Sequence, residues 1–454
     1  MYDLIVIGAG PGGYEAAAHA GQMGKKVALV EKGRIGGTCL NVGCIPAKAF
    51  LRSSRLCREC AEAKLFGVEV DGFRLDLPVV VERKDRIVAT LARGVDGLLK
   101  RSGVEVLHGQ GRIAGRGRVQ VGDEVLETRN ILLATGSRPV VPPVPGIGSE
   151  RVLDSTRVFD LKEVPSKVVV IGGGYIGLEL ATFFSEVGAE VVVLEMLPRV
   201  ASSCDEDVSE RLLQALERSG VSFNLSCRVT GIEGDVVRYQ DFSGETKMCT
   251  ADWVINATGR APVVEGIGLE EAGVDFSPNG VRASDQGKTN VPGIWACGDV
   301  TGRHMLAHAA TREGIVAVNS MFGRPDRVRY DAIPAVIYTH PEVASVGPTE
   351  QQLQAAGTAY KKATVPMGVA GRFLVENEKG TGFIKVLAGQ RYGEILGVHA
   401  MGDGSSEVIV MAATLVEMGL SAARVGEIVF PHPTVSEALR EAVLQVVQQK
   451  ERTT

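Results

Sequence analysis

A glycine pattern that occurs twice constrains the fold of this chain more than any other feature. Each copy consists of an apolar strand, a Gly-x-Gly-x-x-Gly turn, a helix, a second strand and a glutamate 23 residues after the first glycine. In such a βαβ unit the first glycine permits a tight turn, the second lets the backbone approach a pyrophosphate, and the third lets helix and strand pack closely. We therefore predict two dinucleotide sites. Their glycines and closing acids are Gly8, Gly10, Gly13 and Glu31 in the first copy, and Gly172, Gly174, Gly177 and Glu195 in the second.

The acid that closes each copy indicates which nucleotide is bound. Glu31 and Glu195 are placed to accept hydrogen bonds from a ribose diol, and a carboxylate there repels a 2′-phosphate, which favours NAD over NADP. A single copy is weak evidence, because glycine turns also occur in α/β units that bind no nucleotide. Two copies in register, in which Glu15 and Glu179 also correspond, favour nucleotide binding.

Two shorter segments also resemble each other, and each follows one glycine copy. Residues 131–134 and 254–257 are mostly apolar and are each followed by a Thr-Gly pair, at Thr135 and Gly136 and at Thr258 and Gly259. Each predicts a buried strand whose final turn returns the chain to the nucleotide. Taken alone, either segment could be an ordinary strand end.

The remaining pattern predicts the domain organisation. Residues 139–145 are rich in proline and indicate a linker, and residues 294–299 predict another strand with an acid at its end. After Tyr330, apolar segments at 382–387 and 395–399 predict antiparallel strands, and 411–418 and 436–448 predict helices. We expect an α/β fold with two Rossmann-like dinucleotide-binding domains and a C-terminal α+β domain. The expected ranges are 1–142 for the first nucleotide domain, 143–262 for the second, 263–329 for a return to the first, and 330–454 for the C-terminal domain.

Composition and charge exclude several classes of function. The 454 residues include 49 Lys and Arg against 54 Asp and Glu, so the formal net charge of -5 gives no attraction to nucleic acid or to an anionic membrane. No apolar run reaches the roughly 18 residues of a membrane helix, and Asp3 lies where a signal peptide would be basic. We therefore expect a cytoplasmic protein. Its eight cysteines are too sparse for a disulfide scaffold, and their spacing predicts no metal site.

Two of the cysteines stand in a segment with unusual sequence, GGTCLNVGCIPAK at residues 36–48. On a regular helix Cys39 and Cys44 would be about 7.5 Å apart along the axis. A disulfide needs Cα atoms within about 4.4–6.8 Å, so a bridge requires an irregular turn, which Asn41 and Gly43 make plausible. In a reducing compartment such a bridge is best interpreted as a redox pair. The alternative is two buried thiols that never pair.

This segment resembles the redox-active segment of the flavoprotein disulfide reductases, and the similarity extends over nearly the whole chain. Within that family the chain most resembles the enzymes that oxidise dihydrolipoyl groups with NAD+. The resemblance implies FAD in the first site, NAD in the second, a Cys39–Cys44 disulfide, and a homodimer formed through the C-terminal domain. Besides the dithiol, the segments that carry the resemblance are residues 257–260, 297–299, 305–308, 338–342 and 432–437.

The resemblance also implies roles for individual residues. Glu31 would bind the adenosine ribose of FAD, Asp299 the ribityl chain, and Lys48 would lie by the flavin N5 and pair with Glu179. Without the resemblance, Lys48 could be a solvated lysine, Glu179 a helix-surface carboxylate and Asp299 a helix N-cap. The other residues assigned to FAD are Thr38, Gly111, Thr135, Gly136, Met305 and Ala307, and those assigned to the border of NAD are Val229 and Gly259. Two positions depart from the family pattern: Ala309, where a lysine is common, and His340, where an acid is common.

A histidine near the C-terminus completes the expected chemistry. His432 lies between Pro431 and Pro433, which restrict its backbone, and Glu437 follows at the start of a predicted helix. A histidine held by an acid can take a proton from a thiol. A lone histidine would more often serve packing or capping, but the string His-Pro-Thr-x-Ser-Glu resembles the catalytic base segment of the family.

These features predict that a dihydrolipoyl group is oxidised through Cys39, Cys44 and FAD, with NAD+ as the acceptor. The lipoyl group is expected to come from a protein of a 2-oxo acid dehydrogenase or glycine cleavage system. Thioredoxin and mercuric reductases of this framework need a C-terminal cysteine pair, whereas no cysteine follows Cys297. Glutathione reductases would carry basic residues near Glu195. An alternative is that the protein serves mainly as a docking subunit of a multienzyme complex and that its chemistry is secondary. Cys57 and Cys60 are either helix cysteines without a redox role or a second redox pair.

Overall fold

Two parallel sheets and one antiparallel sheet organise the chain in a computed structural model, which describes residues 1–378 and 380–449. Each parallel sheet contains the strands of one of the two glycine copies, and the antiparallel sheet lies in the C-terminal third. This arrangement confirms the predicted fold class. Among the described residues, no helix combines the length and the apolar character that crossing a membrane would require.

The first sheet has five parallel strands that are buried on both faces at its centre, as expected where helices cover both sides. Its strand at one edge, Ile294–Ala296, comes from the segment that follows the second nucleotide domain. In spatial order the strands are Ile294–Ala296, Ile131–Leu133, Leu4–Ile7, Val27–Glu31 and Glu105–His108. The helices of this part are Pro11–Gln22, Gly37–Val42, Cys44–Glu62, Leu77–Arg101, Leu269–Ala272 and Ala307–Met321. Smaller antiparallel strands are Gly111–Ile113, Arg118–Val121 and Glu124–Glu127, and the pair Phe276–Ser277 and Gly280–Val281.

The second sheet repeats this plan. Its five parallel strands are, in spatial order, Val221–Asn224, Glu190–Leu194, Lys167–Ile171, Trp253–Asn256 and Val152–Asp154. The helices Tyr175–Glu186 and Glu206–Arg218 belong to it, together with an antiparallel sheet of Arg228–Glu233, Val236–Gln240 and Thr246–Thr250. The two nucleotide domains are joined where Ser137–Pro139 pairs antiparallel with Arg260–Pro262, directly after the two Thr-Gly turns.

The C-terminal part is an antiparallel sheet with helices packed on it. Its strands are, in spatial order, Ala335–Ile337, Val343–Val346, Ile395–Met401, Phe383–Gly389 and Tyr360–Pro366. Its helices are Glu350–Ala355, Gly371–Glu376, Ser405–Met418, Ala422–Gly426 and Glu437–Gln448. Short 3₁₀ turns occur at Ala63–Phe66, Arg157–Asp160, Gly298–Thr301, Tyr330–Ala332 and Met367–Val369.

Several element boundaries differ from those predicted by sequence, and the reasons are local. The helix Cys44–Glu62 begins directly after Gly43 (φ -133°, ψ -105°), which separates it from the preceding helix Gly37–Val42. The helix expected over 411–418 begins at Ser405, directly after Gly404, whose φ of +87° lies in the left-handed region. Its first turn contains polar residues, so the apolar pattern does not extend to its start. The strands expected at 382–387 and 395–399 extend to Gly389 and Met401.

Candidate active site

The two glycine turns have nearly the same geometry. Gly8 and Gly172 have φ values of +106° and +110°, a region that side-chain-bearing residues rarely adopt. A Cβ on Gly13 would lie 1.9 Å from the carbonyl oxygen of Gly8, and a Cβ on Gly177 would lie 2.0 Å from that of Gly172. Only glycine fits at these positions, so the requirements for a tight turn and for close helix–strand packing are both met.

The middle glycines face open space. A Cβ on Gly10 or on Gly174 would have no atom within 4 Å. Both residues are N-caps, of Pro11–Gln22 and of Tyr175–Glu186, and neither helix has a side-chain cap hydrogen bond. Backbone N–H groups of each first turn are therefore available to an anion, and the positive end of the helix dipole favours one. Both turns fit the pyrophosphate of a dinucleotide.

The closing acids are held in the same way in both copies. Each carboxylate accepts two backbone N–H hydrogen bonds. One donor is the residue directly after the first glycine, and the other is the residue two positions after the glutamate itself. Glu31 accepts from Ala9 and Gly33, both at 2.7 Å, and Glu195 accepts from Gly173 at 2.5 Å and Leu197 at 2.7 Å. Each carboxylate is thus fixed beside its glycine turn.

One large cavity, of about 790 Å³, runs along the first glycine copy to the dithiol segment and the start of the second nucleotide domain. Its volume lies in the range of cofactor sites. Its lining does not include the three glycines of the second copy, Val229, Gly259 or His432. The residues predicted for the site that line it are Gly8, Gly10, Glu31, Thr38, Cys39, Cys44, Lys48, Gly111, Thr135, Gly136, Glu179, Asp299, Met305 and Ala307.

The two cysteines of the dithiol lie side by side in this cavity. Cys39 is on the helix Gly37–Val42 and Cys44 begins the next helix, so the break at Gly43 supplies the irregular turn that a regular helix lacks. The structure holds both as thiols. A hydrogen bond from the Cys39 thiol, aided by the nearby Lys48 ammonium, lowers the pKa of Cys44, whereas that hydrogen bond and burial raise the pKa of Cys39. The pair is therefore polarised, with Cys44 as the more stable thiolate.

Lys48 and Glu179 connect the dithiol to the other domains. The Lys48 Nζ lies 2.8 and 2.9 Å from the two carboxylate oxygens of Glu179, which is 7% exposed. The backbone N–H of Tyr338, in the C-terminal domain, donates to the same carboxylate at 3.0 Å, and the Lys48 Nζ is 4.3 Å from the centre of the Tyr338 ring. Lys48 is thus not a free solvated lysine, and Glu179 is not a surface carboxylate.

Asp299 also lies in the cavity wall, but not as a helix cap. Cys297 takes the N-cap position of the 3₁₀ turn Gly298–Thr301, and the Asp299 carboxylate accepts a hydrogen bond from the Ser137 hydroxyl at 2.5 Å. The Arg260 guanidinium donates to that hydroxyl at 2.7 Å and to the Ser137 carbonyl at 2.8 Å. These contacts fix the acid at the crossing between the two nucleotide domains.

His432 and Glu437 form a pair at a different place. The His432 Nδ1 lies 2.9 Å from Glu437 Oε1, and the Thr434 N–H donates to Oε2 at 3.0 Å. The Thr434 N–H and the His432 ring lower the pKa of Glu437, so this acid stays ionised and orients the imidazole. The His432 side chain is 77% exposed. Within one chain the structure therefore does not bring His432 to the dithiol.

The remaining predicted positions have varied surroundings. Val229 is 8% exposed and packs in the core of the second nucleotide domain, so little of its side chain can face a ligand. Gly259 has a φ of +120° with open space around it. Ala309 is buried on the helix Ala307–Met321, and the His340 Nδ1 lies 3.1 Å from Asp403 Oδ1.

Sequence reasoning missed four residues of the cavity region: Ser137, Tyr175, Arg260 and Tyr338. Arg260 and Tyr338 belong to segments that carry the family resemblance, but their contacts depend on the packing of separate domains. Ser137 directly follows the first Thr-Gly turn, and Tyr175 occupies a variable position of the second glycine copy. The sequence signal that could have identified Ser137 and Tyr175 was their position next to the Thr-Gly turn and within the glycine copy.

Two family models match the chain. One, described as pyridine nucleotide-disulphide oxidoreductase, matches residues 2–314, and the other, described as the dimerisation domain of pyridine nucleotide-disulphide oxidoreductase, matches residues 333–443. The dihydrolipoyl dehydrogenase 3 of Pseudomonas aeruginosa is 44% identical over 460 aligned positions, which cover 98% of each chain. The mitochondrial dihydrolipoyl dehydrogenase of Dictyostelium discoideum is 40% identical and covers 97% of this chain and 93% of that protein.

A solved structure supports the same assignment at lower sequence identity. The HOCl-induced flavoprotein disulfide reductase RclA from Escherichia coli superposes with a TM-score of 0.86 at 26% identity. The match covers 98% of this chain and 99% of that chain.

Proposed function

Because the chain belongs to the pyridine nucleotide-disulphide oxidoreductase family, we propose that it oxidises protein-bound dihydrolipoyl groups with NAD+ through the Cys39–Cys44 pair. The cofactors of this family are FAD and NAD(H), and the two open glycine turns fit two dinucleotides. The observation that carries the proposal is the polarised dithiol beside Lys48 and Glu179, in a cavity that extends along the first glycine turn.

Each group in the site has a defined task in this reaction. In the oxidised enzyme Cys39 and Cys44 form a disulfide, His432 takes the proton of one substrate thiol, and the resulting thiolate attacks the Cys39 sulfur. Cys44 leaves as a thiolate, which the Lys48 ammonium stabilises. The second substrate thiol then attacks its own first sulfur in the mixed disulfide, which closes the lipoyl ring and breaks the bond to Cys39. The Cys39 sulfur takes up the proton of this second thiol, and His432 releases the first proton to water before the next cycle. Residues of the first glycine copy and of the cavity wall would hold FAD, which would supply the two-electron chemistry that lets the Cys39–Cys44 disulfide form again while NAD+ receives a hydride.

The alternatives within the framework fit this chain less well. Within these 454 residues no cysteine follows Cys297, so they offer no second cysteine pair that would pass electrons to mercuric ion or thioredoxin. Glu195 is fixed where a 2′-phosphate would need a positive charge, which disfavours an NADPH-dependent glutathione reductase. A docking role in a multienzyme complex is compatible with the proposed catalysis and does not replace it.

Partner and location follow from the same chemistry. The dimerisation domain supports a homodimer. We propose that a lipoyl-bearing protein of a 2-oxo acid dehydrogenase or glycine cleavage system is the substrate. A reducing cytoplasm is the proposed location, supported by the sparse cysteines, two of which we assign to the redox step.

Glu195 should make the enzyme prefer NADH to NADPH by roughly 100-fold or more in kcat/KM, because its carboxylate would face the added phosphate with little screening. We expect Glu195→Ala to reduce this preference to about tenfold or less. Glu190→Ala is the matched control, because Glu190 is an exposed acid at the start of the strand that ends just before Glu195, and it pairs with Lys167. Steady-state kinetics with both nucleotides measure the ratio. A wild-type enzyme that uses both equally would overturn the role assigned to Glu195.

The substrate proposal is tested by NAD+ reduction with three dithiol or thiol donors: dihydrolipoamide, reduced glutathione and reduced thioredoxin. We expect dihydrolipoamide alone to support rapid turnover of the FAD-loaded enzyme. Faster turnover with either of the other two donors would reject the proposed substrate class while leaving the family assignment intact.

A further inference from the structure

A buried ion cluster joins the C-terminal domain to the second nucleotide domain. Lys385, on the strand Phe383–Gly389, is fully buried, and its Nζ contacts three carboxylates. It lies 2.8 Å from Asp205 Oδ1, 2.8 Å from Asp207 Oδ2 and 2.5 Å from Glu350 Oε2. Asp205 and Asp207 belong to the nucleotide domain, whereas Lys385 and Glu350 belong to the C-terminal domain. The mechanism above uses none of these groups.

Asp205 is saturated with contacts inside this cluster. It is 0% exposed and caps the helix Glu206–Arg218 by accepting the Asp207 N–H at 3.2 Å. Its second oxygen accepts the Glu350 N–H at 2.9 Å. Although burial opposes ionisation, the Lys385 ammonium and the Glu350 N–H lower the pKa of Asp205. A buried carboxylate held by one ammonium group depends strongly on that group, because without it the charge would lie unpaired in the interior.

The turn just before Asp205 packs on the second glycine copy. The Ala201 N–H donates to the Gly173 carbonyl at 2.8 Å, and the Cys204 N–H donates to the Ala201 carbonyl at 2.8 Å. Ala201 has a φ of +44°, a left-handed conformation that persists only when surrounding contacts hold it. Gly173 is also the residue whose N–H fixes Glu195. Residues 201–205 therefore link Lys385 to the turn that receives the nucleotide.

The same turn reaches the wall of the large cavity. The Ser203 hydroxyl donates to the Tyr175 hydroxyl at 3.4 Å, and the Cys204 sulfur lies 3.8 Å from that oxygen. Tyr175 lines the cavity beside Glu179. Movement of Asp205 would thus be transmitted to Gly173, in the second glycine copy, and to Tyr175, which lies between that copy and the large cavity.

We propose that Lys385 is a positioning residue for NAD, which acts by holding the 201–205 turn against the second glycine copy from the C-terminal domain. The inference rests on the proposed function for the identity of the nucleotide site, but it requires only that NAD binds there. It assigns to the C-terminal domain a role in nucleotide binding in addition to dimer formation. The dithiol, Lys48 and the first glycine copy lie outside this chain of contacts.

The test compares two lysines of the same cluster. Lys385→Met removes the central ammonium group. Lys362→Met is the control: the Lys362 side chain is half exposed, and its Nζ lies 2.7 Å from Glu350 Oε1 but does not contact Asp205. For Lys385→Met we expect the Kd of the holoenzyme for NAD+, measured by titration calorimetry, to rise about tenfold. FAD content and the rate at which dihydrolipoamide reduces the flavin should stay within about twofold. Lys362→Met should leave all three values near those of wild type.

A second variant keeps the proposal testable if Lys385→Met fails to fold. Asp205→Asn keeps the helix cap but removes the charge that faces Lys385, and it should raise the Kd for NAD+ in the same direction by a smaller factor. Unchanged NAD+ affinity in the folded variants would overturn the proposal, as would a parallel loss of FAD and of dithiol reduction. If wild type binds NAD+ but does not oxidise dihydrolipoamide, the proposed function fails and the comparison of Lys385 with Lys362 still stands.

Discussion

Replacing Cys44 by serine is expected to abolish NAD+ reduction by dihydrolipoamide, with a loss on the order of 10⁴-fold or more, because the covalent relay loses one of its two sulfurs. Cys39→Ser should be equally inactive. The two variants differ in spectrum, because Cys44 is the sulfur whose pKa is lowered by Cys39 and Lys48 and which we place next to the flavin. Cys39→Ser should keep a long-wavelength absorption band from the Cys44 thiolate beside oxidised flavin, and Cys44→Ser should lack it.

Cys60→Ser is the matched control for these variants. Cys60 lies on the same helix as Cys44, is a free thiol and does not line the cavity. It should retain wild-type turnover, and a large loss would instead support a second redox pair with Cys57. A long-wavelength band that survives in Cys44→Ser would show that the order of the two sulfurs is reversed.

His432→Gln should lower dihydrolipoamide oxidation by about 10²–10⁴-fold, the usual contribution of a general base. Its effect should appear across subunits, because His432 is 77% exposed and lies outside the cavity that contains the dithiol of its own chain. We expect the His432 of one subunit to act on the dithiol of its partner. Steady-state assay of the homodimeric variant, with unchanged FAD content as the control for folding, measures the loss.

Mixing the two inactive variants tests this shared site. If His432→Gln and Cys44→Ser chains reassort at random, roughly half of the dimers are mixed, and each mixed dimer has one site with an intact dithiol and an intact histidine. About a quarter of wild-type activity should return after dissociation and reassociation with FAD. Each variant carried through the same treatment alone should stay inactive. Confirmed mixed dimers without activity would place His432 within the site of its own subunit or outside catalysis.

The repeated glycine pattern carried most of the information that the sequence holds about fold and site. Because each of its positions has one steric requirement, Gly13 and Gly177 could be assigned to close packing before the structure showed that a Cβ there would lie about 2 Å from a carbonyl oxygen. Glu31 and Glu195 could be assigned in the same way, because each follows the first glycine of its copy by 23 residues. These are local features, so a local pattern can encode them.

Contacts between domains could not be predicted in this way. The Tyr338 N–H reaches Glu179 across 159 positions of sequence, and Lys385 reaches Asp205 across 180. No periodicity encodes such pairs, because they depend on how three separately folded sheets pack against one another. The break between the two cysteines is again a local feature: Asn41 and Gly43 indicated an irregular turn, and Gly43 separates the helix Gly37–Val42 from the helix Cys44–Glu62.

The most direct test of the account is an anaerobic visible titration of the purified, FAD-loaded dimer. One equivalent of dihydrolipoamide per active site should change the flavin spectrum, and NAD+ added afterwards should restore the oxidised spectrum and yield about one NADH per site, because two electrons pass from the substrate through Cys39 and Cys44 to the nucleotide. A flavin spectrum that does not respond to dihydrolipoamide, or a reduced enzyme that forms no NADH, would contradict the proposed path of electrons.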